Sequence, residues 1–184
     1  MQKKLFKNSQ KGFTLIEVLV STTIIVMLTG LFLANYHSAN QRSILNIFIQ
    51  EMASDIRLMQ NYGLSSLEYE GSVPLGGWGI YLNKVSNNYI LFADIDNDKE
   101  YNPPGEMYKT VNFPDGVIVE DIIGDTMSGK SSISITFVPP RPTVNIGDIF
   151  NSYNDLVVIL KDDKNNTTKS INVNYFGLVD VLRN

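Results

Sequence analysis

Apolar residues fall into two regimes along the chain, a continuous block and then a periodic stripe. From Phe13 to Leu33 the sequence reads FTLIEVLVSTTIIVMLTGLFL, which is apolar at most positions. A helix of about 20 such residues, rising about 1.5 Å per residue, covers roughly the 30 Å of a bilayer core. Polar residues enter at Asn35, yet Leu45, Phe48, Met52, Ile56 and Met59 still recur at spacings of three and four. That spacing predicts an amphipathic helix, with Gln41, Arg42, Glu51, Asp55 and Arg57 on its solvated face. Tyr62–Gly63 predicts the stop, because glycine accepts the left-handed conformation that closes many helices. Residues 13–63 are thus expected to form one long helix, its first half (13–34) transmembrane and its second half packed on the C-terminal remainder of the chain.

After Gly63 the period shortens to two. Gly71, Pro74, Gly76, Gly77 and Gly79 mark a loop entering a strand at Trp78–Leu82. Further strands are predicted at Tyr89–Ala93, Tyr108–Phe113, Val117–Ile123, Ser132–Val138, Leu156–Lys161, Ser170–Tyr175 and Leu178–Leu182. Ile133, Ile135 and Phe137 alternate with Ser132, Ser134 and Thr136, as the two faces of a strand require. The polar run Asp162–Asn166 reads as a hairpin loop. Pro139, Pro140 and Pro142 end the run before the last strands. The expected class is α+β: the long helix against an antiparallel sheet, with residues 64–184 as a β-rich head.

Charge sharpens this division. Lys3, Lys4, Lys7 and Lys11 lie in the first twelve residues with no acid among them, and the rest of the chain carries 11 basic residues against 19 acidic ones. A head this acidic repels phosphate, so nucleic-acid binding is not expected. The basic leader before an apolar span predicts the leader in the cytoplasm and the head across the membrane. There is no cysteine, which removes thiol catalysis, disulfides and thiolate metal sites. The single histidine, His37, reads as a plain surface residue and leaves no histidine triad or multi-histidine metal site.

Neither a secretory signal nor a simple anchor accounts for the apolar block. The stretch is long for a signal peptide, and no convincing small-residue cleavage site comes after it; Ser38–Ala39 has Tyr36 and His37 beside it. A simple anchor does not explain Glu17, since a charge inside a span costs about 2.5–3.5 kcal/mol on insertion scales. A buried soluble helix sits poorly with the basic leader. The residues KGFTLIEVLV resemble the N-terminus of type IV pilins and type II secretion pseudopilins.

The resemblance implies a pilin-like fold and a precursor whose leader, residues 1–12, prepilin peptidase removes between Gly12 and Phe13. It implies N-methylation of Phe13 and a role in assembly for Glu17. The implied partners are prepilin peptidase, other pilin or pseudopilin subunits, an inner-membrane assembly platform and membrane lipid. The implied location is a single pass of the inner membrane, the head outside the cytoplasm, and then a filament. GGWGIYLN and YILFADIDNDKEYN are similar to H-type minor pseudopilins and related minor pilins, which implies a place at or near a filament tip. Two alternatives stay open: a DNA-binding minor pilin for DNA uptake, and a major pilin. The C-terminal LVDVLRN has Arg183 as its only base, which weighs against DNA capture. Electrostatics gives Glu17 a reason. Cleavage frees an amine at Phe13, and two unit charges about 4 Å apart attract by about 4 kcal/mol at an effective dielectric of 20, comparable to the insertion cost.

Three further motifs compete. Gly124–Ser131 has the spacing of a nucleotide-binding loop, but that loop must open onto a helix, whereas Ser132–Val138 alternates as a strand. The segment is expected to be a β-hairpin turn. Asp94, Asp96 and Asp98 alternate like the start of a calcium loop, although Lys99 and Gly105 stand where glycine and glutamate are expected. No cofactor is expected, with calcium at these three residues as the exception to test. Asn165–Thr168 contains glycosylation patterns that matter only in a eukaryotic secretory pathway. No enzyme activity is expected: a hydrolase would need Asp94 and Asp96 to converge with Glu120 or Asp121 in a cleft.

Overall fold

The computed structural model describes residues 12–125, 130–139, 143–147 and 154–182, excepting the side chains of residues 34–42 and 143. Residues 1–11 of the leader, the side chains of His37, Gln41 and Arg42, Pro140, Pro142, Arg183 and the centre of the Gly124–Ser131 motif lie outside the described residues. The chain divides into two compact units, Met1–Ala39 and Asn40–Asn184. One helix, α1 (Leu15–Leu64), enters both.

In the first unit α1 starts where Thr14 caps it. The Glu17 N–H reaches the Thr14 hydroxyl at 3.3 Å and the Thr14 carbonyl at 3.1 Å. This satisfies one of the donors that every helix start leaves orphaned. Hydroxyls farther along turn back onto the backbone: Ser21 donates to the Glu17 carbonyl, Thr22 and Thr23 to that of Leu19, and Thr29 to that of Ile25. An apolar surface can therefore carry these residues without stranded donors. Leu15–Leu33 is long and apolar enough to cross a membrane, and all of it is exposed.

The second unit is built on two antiparallel sheets. Strands β1 (Gly77–Asn83), β2 (Asn88–Asp94), β3 (Met107–Asn112), β5 (Ser132–Val138) and β6 (Thr143–Ile146) form one, in the order β3-β2-β1-β5-β6. Strands β4 (Val117–Gly124), β7 (Asp155–Asp162), β8 (Thr167–Asn174) and β9 (Val179–Leu182) form the other, in the order β4-β7-β8-β9. The inner face of the first sheet offers Trp78, Ile80, Leu82, Tyr89, Leu91, Ile135 and Phe137, and the second sheet offers Val119, Leu156, Val158, Leu160, Ile171 and Val173. These residues share one buried cluster with Leu45, Phe48, Met52, Ile56 and Met59 of α1. The stripe's positions are therefore all core positions.

Four sequence expectations need correction. Among the described residues there are two sheets rather than one. The Gly124–Ser131 segment is not a hairpin turn, because β4 pairs with β7 while β5 pairs with β1 and β6. The alternation of Ser132–Val138 was legible, but its partner is chosen by matching apolar faces at long range. A strand, β6, comes directly after the prolines, paired along the edge of β5. Finally, Gly63 is not the left-handed stop. It lies within α1, and a Cβ there would sit 2.4 Å from the Phe137 carbonyl oxygen. The left-handed residue is Ser66 (φ 49°). Ser66 N–H bonds to the Gly63 carbonyl at 3.1 Å and Leu67 N–H to that of Tyr62 at 3.0 Å, a Schellman closure.

The solvated face of α1 also does more than meet water. Asp55 accepts the buried Tyr89 hydroxyl at 2.7 Å, and Arg57 donates to the Val179 carbonyl at 2.8 Å. These bonds tie the helix to β2 and to β9 respectively. Burial, and then the bond to Asp55, push the Tyr89 phenol above its ordinary pKa.

Candidate functional site: the N-terminal segment and the acidic loop

Gly12 and Phe13 precede α1 outside any regular element. Beyond its chain neighbours, none of the described residues comes within 4 Å of the position a Gly12 Cβ would take, and Phe13 is 82 % exposed. Among the described residues nothing covers the peptide bond between them, as a protease that must seat an extended backbone in its own cleft requires. Glu17 lies in the first turn of α1, where a carboxylate complements the helix dipole. Cleavage would place an amine four residues before it. The Glu17 carboxylate is exposed on an otherwise apolar surface.

A second constellation sits in the loop between β2 and β3. Asp94 ends β2 and is fully buried; its Oδ1 accepts the Asn97 N–H at 2.6 Å and its Oδ2 the Lys99 N–H at 3.0 Å. Glu106, also buried, accepts the N–H groups of Ile95 and Asn102, each at 2.8 Å. Gly76 leaves the room this needs, since a Cβ there would lie 1.7 Å from Asp94 Oδ2. One oxygen each of Asp94, Asp96 and Glu106 lies within 4.8 Å of the others, a spacing that could hold a hard cation.

The structure therefore brings Asp94 and Asp96 together and replaces Asp98 with Glu106. Asn97 and Lys99 adopt left-handed backbone (φ 68° and 70°), which breaks the two-residue alternation. Asp98 instead accepts the Glu100 N–H at 2.8 Å and the Asn102 side-chain amide at 2.5 Å. Glu106 escaped sequence reasoning because it ends the turn just before β3, ten residues on from Asp96 and beyond the cis Pro103–Pro104 peptide. Burial pushes the Asp94 carboxyl up to about 6, and the Glu106 charge adds to this. The Lys99 N–H, its ammonium at 3.9 Å and the Asn97 N–H oppose it. Glu120 and Asp121 do not join the cluster: Glu120 pairs with Lys161 at 3.1 Å and Asp121 with Lys84 at 2.8 Å. Lys84 holds the Asp121 carboxyl below its ordinary range.

Residues 7–33 match the family described as the prokaryotic N-terminal methylation motif. No curated protein and no solved structure matches the chain. The matched motif supports the type IV pilin and pseudopilin superfamily. It implies processing by prepilin peptidase and assembly with other pilin subunits. An apolar N-terminal helix together with this motif fits membrane anchoring and incorporation into a filament.

Proposed function

We propose that the chain is a minor pilin or pseudopilin, cut between Gly12 and Phe13, N-methylated on Phe13 and built into a type IV pilus or type II secretion pseudopilus. The methylation motif over residues 7–33 is the observation that carries this reading. The open Gly12–Phe13 bond and the bare apolar surface of Leu15–Leu33 support it. In this reading the first half of α1 lies in the inner membrane before assembly, and its second half is the core helix of a head outside the cytoplasm. The H-type minor pseudopilins are the subfamily that GGWGIYLN and the acidic loop favour. The function is structural, without an enzymatic step.

Glu17 pairs, in this reading, with the freed Phe13 amine of a neighbouring subunit, so that assembly offsets the cost of a carboxylate in an apolar layer. Glu17→Ala tests it by co-assembly with the other filament subunits in native membranes. The variant is expected to be processed yet to drop at least tenfold in the sheared filament fraction. Incorporation equal to wild type would remove the pairing role.

A further inference from the structure

Strand β3 is the outer strand of the first sheet, with β2 as its one neighbour among the described residues. Every residue of it except Val111 is exposed. The ladder decides which of its backbone groups are free. Asn88 and Asn112 are register partners, and the Phe113 N–H bonds to the Asn87 carbonyl at 2.8 Å. Bonded and non-bonded pairs alternate in an antiparallel ladder, so Val111 and Lys109 also turn their N–H and C=O groups to β2. Thr110 and Asn112 turn theirs away from it. Near the start of β3 the register shifts, and the Met107 carbonyl already accepts the Tyr69 hydroxyl at 3.0 Å. The open part of the edge is therefore Lys109–Phe113, and no proline interrupts it. On the outer strand β9 of the second sheet, by contrast, the Arg57 guanidinium occupies the Val179 carbonyl.

We propose that β3 pairs antiparallel with β3 of a second copy of this chain, about a two-fold axis at Val111. This register sets Thr110 of each copy opposite Asn112 of the other, so every free N–H meets a free carbonyl. Val111 meets its own counterpart, and Lys109 lies opposite Phe113. Val111 and Phe113 both pack against the core cluster, so this face of the seam is apolar, with an ammonium beside an aromatic ring. The register that sets Tyr108 opposite Thr110 would put Lys109 against Lys109, and like charges directly opposite destabilise. No acidic residue lies within Met107–Phe113, so no acid faces acid across the seam. An isologous pair also closes on itself instead of growing into a fibre. A pair of short strands buries less than the roughly 1,000 Å² that a stable complex in dilute solution needs. The pairing therefore belongs to chains held at high local concentration in one membrane, and to that extent it rests on the anchored reading above.

The chain has no cysteine, so a single one reports only its own site. Val111→Cys, oxidised mildly in native membranes, is expected to form a disulfide-linked dimer. Opposed residues whose backbone groups face outward from the seam bring their Cα atoms to about 4.5 Å, within disulfide range. The control is Val85→Cys, since Val85 is 88 % exposed in the turn between β1 and β2. The dimer yield of Val111→Cys should exceed that of the control at least fivefold. Adding Thr110→Pro removes an outward N–H while the ladder to β2 stays intact, and it should cut the yield at least fivefold. Equal yields from the two cysteine variants overturn the proposal, and so does a yield that Thr110→Pro leaves unchanged. Amine cross-linking of the wild-type chain keeps the test sharp if Thr110→Pro fails to fold. Lys109 joined to Lys109, a link that only two copies can make, is expected. Lys109 joined to another protein and never to itself overturns the pairing. Membrane fractionation of the same samples separates the two readings. A membrane-bound chain that fails to cross-link overturns the pairing alone, whereas a chain absent from the membrane fraction overturns the anchored reading and the pairing with it.

Discussion

Single residues here carry constraints that their type alone does not announce. Gly63 is the sharpest case. In a free helix, glycine to alanine gains about 1 kcal/mol. At Gly63 the added methyl meets the Phe137 carbonyl oxygen at 2.4 Å, and backbone cannot step aside as a side chain can. Gly63→Ala is therefore expected to destabilise by about 1–3 kcal/mol, the usual cost of overpacking, in urea unfolding of the detergent-solubilised chain. A gain in stability would show that α1 and β5 do not approach so closely. Asp94 gives a pH signature. Its folded carboxyl holds a proton up to about pH 6, against 3.8 for an ordinary aspartate. Between these values the folded state binds more protons, so this contribution is full below 3.8 and is lost as pH rises through 6. Thermal melts from about pH 4 to about pH 6.5 should show wild type losing more stability than Asp94→Asn over that window. Parallel curves would mean the carboxyl is ionised throughout.

At the scale of elements, stability should track the α1 stripe. Ile56 is fully buried in the cluster shared by α1 and both sheets, whereas Ile47, nine residues earlier on the same helix, is 68 % exposed. Ile56→Ala should cost about 2–5 kcal/mol through lost burial and a residual cavity. Ile47→Ala should stay within about 0.5 kcal/mol. Equal effects in the same denaturation series would contradict the packing described. The stripe was legible in the sequence because three- and four-residue spacing is local, and so were most strands, whose alternation is also local. Pairing was not: Val117–Gly124 and Ser132–Val138 are neighbours in the chain but enter different sheets. That choice rests on contacts between segments distant in sequence. The acidic loop fell between these cases. Asp94 and Asp96 stood out by spacing, while Glu106 reaches them only through the left-handed turns at Asn97 and Lys99.

The whole molecule joins an apolar N-terminal helix to a β-rich unit with a strongly acidic balance, and residues 7–33 carry the prokaryotic N-terminal methylation motif. That motif was the most legible part of the candidate site, since a contiguous run of residues is read directly by a peptidase. The most direct test of the account is mass spectrometry of the N-terminus of the chain from native membranes, with and without prepilin peptidase. The account predicts a chain beginning at N-methyl-Phe13 when the peptidase is present and an uncut leader when it is absent. An intact Met1 end with the peptidase present, or a cut at any other bond, would contradict it.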